Sequence, residues 1–97
     1  MEAMLQSFDA RSASPAGPAW AESSLAEIDA AVAAAAAASD AFASSSSAER
    51  AGLLRALADA LEGSREALVA LADRETALGL PRLNGELDRT TFQLRGF

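Results

Sequence analysis

Cysteine, histidine and lysine are all missing from this chain of 97 residues. Without cysteine there is no disulfide and no thiolate nucleophile, and without histidine as well the usual zinc ligand sets cannot be assembled. The plentiful serines have no imidazole to activate them, so no Ser-His-Asp arrangement arises from these residues. Basic charge comes from eight arginines alone, and the net charge of −6 has the wrong sign for neutralising nucleic-acid phosphates. Those arginines stand beside acids, as in Glu49-Arg50, Asp73-Arg74 and Asp88-Arg89. Such interleaving reads as a solvated, mixed-charge surface.

Long apolar runs are also lacking. Ala33 to Ala38 is short and bracketed by Asp29 and Asp40, whereas a membrane span needs about 20 apolar residues. The first residues, MEAMLQSFDARS, carry no basic region and no apolar core, so no secretory signal is read and a cytoplasmic location is expected. No Gly-x-Gly-x-x-Gly or Walker pattern occurs, and Gly79, Gly85 and Gly96 are too dispersed to cradle phosphate. Much of the 51% hydrophobic content is alanine, which buries little surface per residue. At this length a single core is marginal, so an independent rigid fold is not expected.

What is present reads as mainly α: four helices with short connections over residues 24–97, after an irregular segment 1–23. Pro15, Gly17 and Pro18 interrupt that first segment, leaving at most short extended pieces at Leu5–Phe8 and Ala19–Trp20, with Trp20 as an anchor. Ser24 and Glu27 form a capping box, followed by Leu25, Ile28, Val32, Ala35, Ser39 and Phe42 at helical spacing. A second box, Ser46 with Glu49, opens a helix presenting Leu53, Leu54, Leu57 and Leu61 on one face. Gly63-Ser64 offers a break, and a third segment carries Leu68, Leu71 and Leu78 up to a stop at Gly79–Pro81. The last helix is expected to open at Asn84-Gly85-Glu86 and to run through Leu87, Thr91 and Leu94 without a stop signal. That pattern suggests a piece of a longer protein.

Chemistry is sparse. Glu62 with Glu66, and Asp73 with Glu75, make carboxylate pairs of the exposed helical kind, with no sign of a desolvated pocket. Arg82, Arg89 and Arg95 are candidates for an anionic ligand, but solvation or pairing with Glu86 and Asp88 explains them better. No catalytic, cofactor-binding or metal-binding residue is therefore assigned.

The blocks SLAEIDAAVAAAAAASDAF, SSAERAGLLRALADALEGSREALVALADRETALG and GELDRTTFQLRGF, in this order, resemble the N-terminal helices of the aldehyde dehydrogenase superfamily. The pattern Glu75-Thr76, Gly85-Glu86, Arg89-Thr90-Thr91 and Gln93-Leu94-Arg95 is similar to the 2,5-dioxovalerate (α-ketoglutarate semialdehyde) dehydrogenase branch. That branch is in turn similar to NADP-dependent fatty aldehyde dehydrogenases. Many relatives have an Asn-Pro-Ala-Thr-Gly-Glu-like turn between two N-terminal strands. The counterpart taken here, Ser14-Pro15-Ala16-Gly17-Pro18, is shorter and lacks the Asn and Thr, which leaves the hairpin open.

The resemblance implies an incomplete N-terminal part of an α/β, Rossmann-like cofactor-binding domain. In the full-length enzyme it implies NAD(P), a small aldehyde substrate and a homo-oligomer, with the remainder of the polypeptide as this segment's partner. A cysteine thiolate, a glutamate-activated water and an oxyanion-hole asparagine carry the chemistry in such enzymes, all downstream of these residues. This segment alone is expected to be inactive and to bind no cofactor. The resemblance also implies that Arg89 and Gln93 edge the substrate tunnel, although a packed or solvated helix face explains them better. A reading of another class is a free-standing helical interaction module without enzymatic activity.

Overall fold

The computed structural model describes residues 3–97. Two strands come first, β1 (Met4–Phe8) and β2 (Pro15–Ala21). Four helices follow: α1 (Leu25–Ala43), α2 (Ser47–Gly63), α3 (Arg65–Thr76) and α4 (Leu80–Gly96).

The strands pair antiparallel, with Leu5 opposite Trp20 and Ser7 opposite Ala16. The hairpin left open by the sequence is thus present, and its turn lies upstream of the expected one, between Asp9 and Ser14. Asp9 builds it: its carboxylate accepts from the Arg11 and Ser12 amides at 2.8 and 3.0 Å, and its own amide donates to the Ser14 carbonyl at 2.8 Å. Pro15 does not prevent a strand because it is the first residue of β2, opposite Phe8, and Gly17 and Pro18 do not because the ladder is irregular opposite Leu5 to Ser7 and demands few amides there. Gly17 takes a φ of +76° in that irregular stretch. The Gln6 side chain spans the gap, donating to the carbonyls of Ala16 and Gly17.

Helix starts follow local chemistry. Ser46 and Glu49 close a complete capping box, with both reciprocal hydrogen bonds made. Ser24 accepts from the Glu27 amide, but its hydroxyl, rather than its backbone amide, meets the Glu27 carboxylate. Gly63 ends α2, and Ser64 joins it directly to α3.

The α3–α4 corner departs from the sequence expectation. Helix α3 ends at Thr76, Ala77 turns left-handed (φ 57°), and Leu78 lies outside any helix. Helix α4 begins at Leu80, not at Asn84, with Pro81 in its first turn. A proline stops a helix that arrives from upstream. In a first turn its missing N–H is one that would be unpaired anyway, so here it starts one.

The helices form a thin slab. The extents are 48 × 40 × 16 Å and the radius of gyration is 17.6 Å, against about 13 Å for a compact domain of this length. Within the slab α4 packs on α2 and α3, and the buried residues are few: Ala58, Val69 and Thr91. The leucine face of α2 divides. Ala58, fully covered, lies between half-buried Leu54 and Leu61, while Leu53 and Leu57 stay exposed. Helix α1 buries nothing, and Leu25 is 81% and Val32 64% exposed.

Candidate functional site

Polar side chains converge at one place, where α2, α3 and α4 meet. Arg65 starts α3 and donates to Glu62 of α2 at 2.7 Å and to Asp88 of α4 at 2.5 Å. It also reaches the side-chain and main-chain oxygens of Asn84 at 3.0 and 3.3 Å. Thr91, buried on α4, places its hydroxyl 3.2 Å from Glu62. Hydrogen bonds from Arg65, joined by that of Thr91, hold the Glu62 carboxyl below its ordinary range, and Arg65 in turn is held more firmly protonated.

A second cluster lies at the other end of α3. The Arg11 guanidinium grips Asp73 at 2.9 and 3.1 Å, and the Gly79 amide donates to the same carboxylate at 2.9 Å. Arg11 first, and the Gly79 amide after it, depress the Asp73 pKa. Asp9 is lowered too, chiefly by the backbone amides of Ser12 and Arg11.

Every resolved carboxyl shift is therefore downward, which suits structural ion pairs and not a general acid poised near neutrality. The pairs singled out by the sequence are not brought into joint action: Glu62 belongs to Arg65 and Asp73 to Arg11, while Glu66 and Glu75 are exposed. Of the arginine pairings expected, the one between Arg82 and Glu86 is present, while Asp88 and Arg95 find other partners. Arg82 approaches Glu86 at 4.0 Å, Arg95 pairs with Asp59 on α2 at 2.7 Å, and Asp88 is held by Arg65. Arg89 is exposed. Gln93 is exposed as well and lines a shallow groove of about 240 Å³ with Leu54, Thr90, Leu94 and Phe97.

Helix N-termini are the natural places for a cofactor phosphate, and here each already has a carboxylate. Glu27, Glu49 and Glu66 stand in the first turns of α1, α2 and α3, and Asp73 faces the start of α4. A dinucleotide does not fit these termini. No cluster of metal-ligating side chains occurs among the described residues.

What the arrangement does is hold three helices and a hairpin in one layer. The aldehyde dehydrogenase family model matches residues 13–97, which take in all four helices and the second strand. The chain belongs to the aldehyde dehydrogenase family. The alpha-ketoglutaric semialdehyde dehydrogenase of Acinetobacter baylyi is 34% identical over 93 residues, which is 96% of this chain. The aligned stretch is 18% of that relative's length. As a family member the chain therefore corresponds to a small part of its relative; the Arg65 cluster falls inside the family match, and of the second cluster Asp73 and Gly79 do while Arg11 lies just upstream of it.

The Arg65 cluster escaped the sequence reading because its members are spread over residues 62 to 91. One signal was available: Glu62 and Arg65 are three apart at a helix junction, a spacing that brings side chains together.

Proposed function

We propose that this chain is the N-terminal helical part of an NAD(P)-dependent aldehyde dehydrogenase, supplying a structural layer while the chemistry resides in further polypeptide. The observation that carries this reading is the uncovered apolar surface. The accessible area is 7262 Å², against about 5,200 Å² for a folded monomer of 9.9 kDa. The excess, on the order of 2,000 Å², is what a slab exposes when both faces await neighbours. Each large side chain such as Leu25 or Val32 would contribute roughly 1.5–3 kcal/mol if covered.

The aldehyde proposed is 2,5-dioxovalerate, on the strength of the relative's name and the Arg89-Thr90-Thr91-x-Gln93-Leu94-Arg95 run. Oligomerisation and a cytoplasmic setting belong to the same proposal. The test is to express the whole reading frame and follow NAD(P)H formation with 2,5-dioxovalerate and with unrelated aldehydes. Residues 1–97 alone are expected to give none. A whole product that oxidises no aldehyde would defeat the proposal. If that product also ended at Phe97 and purified with a stoichiometric partner, the uncovered faces would be those of an interaction module.

A further inference from the structure

The corner between α3 and α4 is built from unfavourable backbone. Ala77 sits at φ 57° and Gly79 at φ 95°, two left-handed residues within three positions. Conformations of this kind persist only where surrounding contacts over-determine them. Ala77 and Gly79 hydrogen-bond to one residue: the Ala77 amide donates to the Asp73 carbonyl at 2.7 Å, and the Gly79 amide to Asp73 Oδ1 at 2.9 Å.

The same residue receives the hairpin. Arg11 Nη2 donates to Asp73 Oδ1 at 2.9 Å, and Nη1 donates to Oδ2 at 3.1 Å and to the Asp73 carbonyl at 3.3 Å. Beside it the Ala10 amide donates to the Arg74 carbonyl at 2.8 Å. Among the described residues these are the hydrogen bonds that join the hairpin to the helices. One carboxylate oxygen thus serves both Arg11 and Gly79, and the Asp73 side chain is only 19% exposed.

We propose that Asp73 is a clasp coupling the seating of the hairpin to the geometry of the α3–α4 corner. The coupling is mechanical. With Arg11 in place, three donors fix the carboxylate, and Oδ1 is aimed at the Gly79 amide. With Arg11 withdrawn, the carboxylate is free to turn toward solvent, and the N-cap amide of α4 loses the acceptor that elsewhere is the N3 carboxylate of a capping box. Gly79 has no side chain of its own, and the first turn of α4 contains no acid. A partner or chain movement that lifts the hairpin therefore loosens the start of α4.

The test is hydrogen–deuterium exchange on the intact polypeptide, reading the amides of residues 78–83. Arg11→Gln is expected to speed exchange there roughly two- to tenfold, the equivalent of one lost hydrogen bond. Arg11→Lys keeps the charge without the fork and is expected to fall in between. Asp59→Asn breaks an ion pair on α2 and is expected to leave these amides unchanged, which separates coupling from general loosening. Faster exchange in the hairpin with unchanged exchange at 78–83, in either Arg11 variant, would overturn the proposal. So would an Asp59→Asn effect equal to that of Arg11→Gln.

Discussion

Arg65 of α3 and Asp88 of α4 meet at 2.5 Å across 23 positions of sequence, and the same guanidinium nitrogen holds Glu62 of α2 at 2.7 Å. One side chain therefore joins three of the four helices, α2, α3 and α4. Replacing it by methionine keeps the length and removes every donor. The expected outcome is a lower urea midpoint and a broader transition, with lysine restoring only part because an ammonium lacks the planar fork. An unchanged midpoint for Arg65→Met would mean that solvent replaces the pair without cost, as for many surface ion pairs.

Ala58 offers a cleaner packing test. Fully covered on α2 where α4 crosses, it allows the two helices to approach closely. Ala58→Leu inserts methylenes where no space exists and is expected to cost about 1–3 kcal/mol. Leu57→Ala, one position away on an exposed face, is expected to change little unless that face is covered by further chain. Comparing the two by chemical denaturation, in residues 1–97 and in the whole product, reports which face the rest of the polypeptide occupies.

Acid should unpick the clusters with a definite sign. Asp73 is lowered by Arg11 and the Gly79 amide, Glu62 by Arg65 and Thr91, and Asp9 by the amides of Ser12 and Arg11. A carboxyl lowered in the folded state stabilises above its unfolded pKa, near about 4. That stability is lost as pH falls through the lower folded value. Helicity is therefore expected to be flat from neutrality down to that range and then to fall. Asp73→Asn should flatten part of the decline while lowering the plateau. A decline centred near neutral pH would contradict these shifts.

How legible this was depended on the range of the interaction. Ser46 with Glu49, Ser24 with Glu27 and the Gly63-Ser64 break each act within one turn, and all three are legible in the sequence because their partners are neighbours, although at Ser24 only the cap half of the expected box is made. Pro81 was misread since the same residue stops one helix and starts the next, and only the left-handed Ala77 and Gly79 upstream decide between them. On α2 the leucine periodicity was correct but could not say that Ala58 would be covered and Leu53 left out, because that depends on where α4 lies. Arg65 and Asp73 act over 23 and 62 positions, with Asp88 and Arg11 respectively, and no local pattern announces such pairs. The hairpin was obscured by its prolines, of which Pro15 only opens β2 and Pro18 falls where the ladder is already irregular.

Backbone handedness at the corner gives opposite expectations for two neighbouring positions. Gly79→Ala forces a side chain onto φ 95° and ψ 144°, a region that L residues avoid, and is expected to cost about 1–3 kcal/mol. The cost would be conformational, since the nearest atom to an added Cβ is Pro81 Cδ at 4.0 Å. Ala77→Gly relieves a left-handed alanine and is expected to gain up to about 1 kcal/mol. If both variants shift the denaturation midpoint the same way, side-chain packing outweighs handedness at this corner.

Arg89 and Gln93 carry the remaining functional expectation. Both lie exposed on α4, and Gln93 lines a groove with Leu54 and Phe97. If they edge the substrate entrance of the whole enzyme, Arg89→Gln should raise KM for an anionic aldehyde several-fold, leave kcat nearly unchanged, and spare a neutral aldehyde of equal length. An arginine at an entrance attracts a carboxylate before any bond changes, so its loss weakens ground-state binding and not the chemical step. Gln93→Ala should act on long and short aldehydes unequally, since it alters width and not charge. Unchanged KM for both variants across aldehydes of different charge and length would assign this face of α4 to packing or solvent. The function of the segment would then rest on its apolar surface alone.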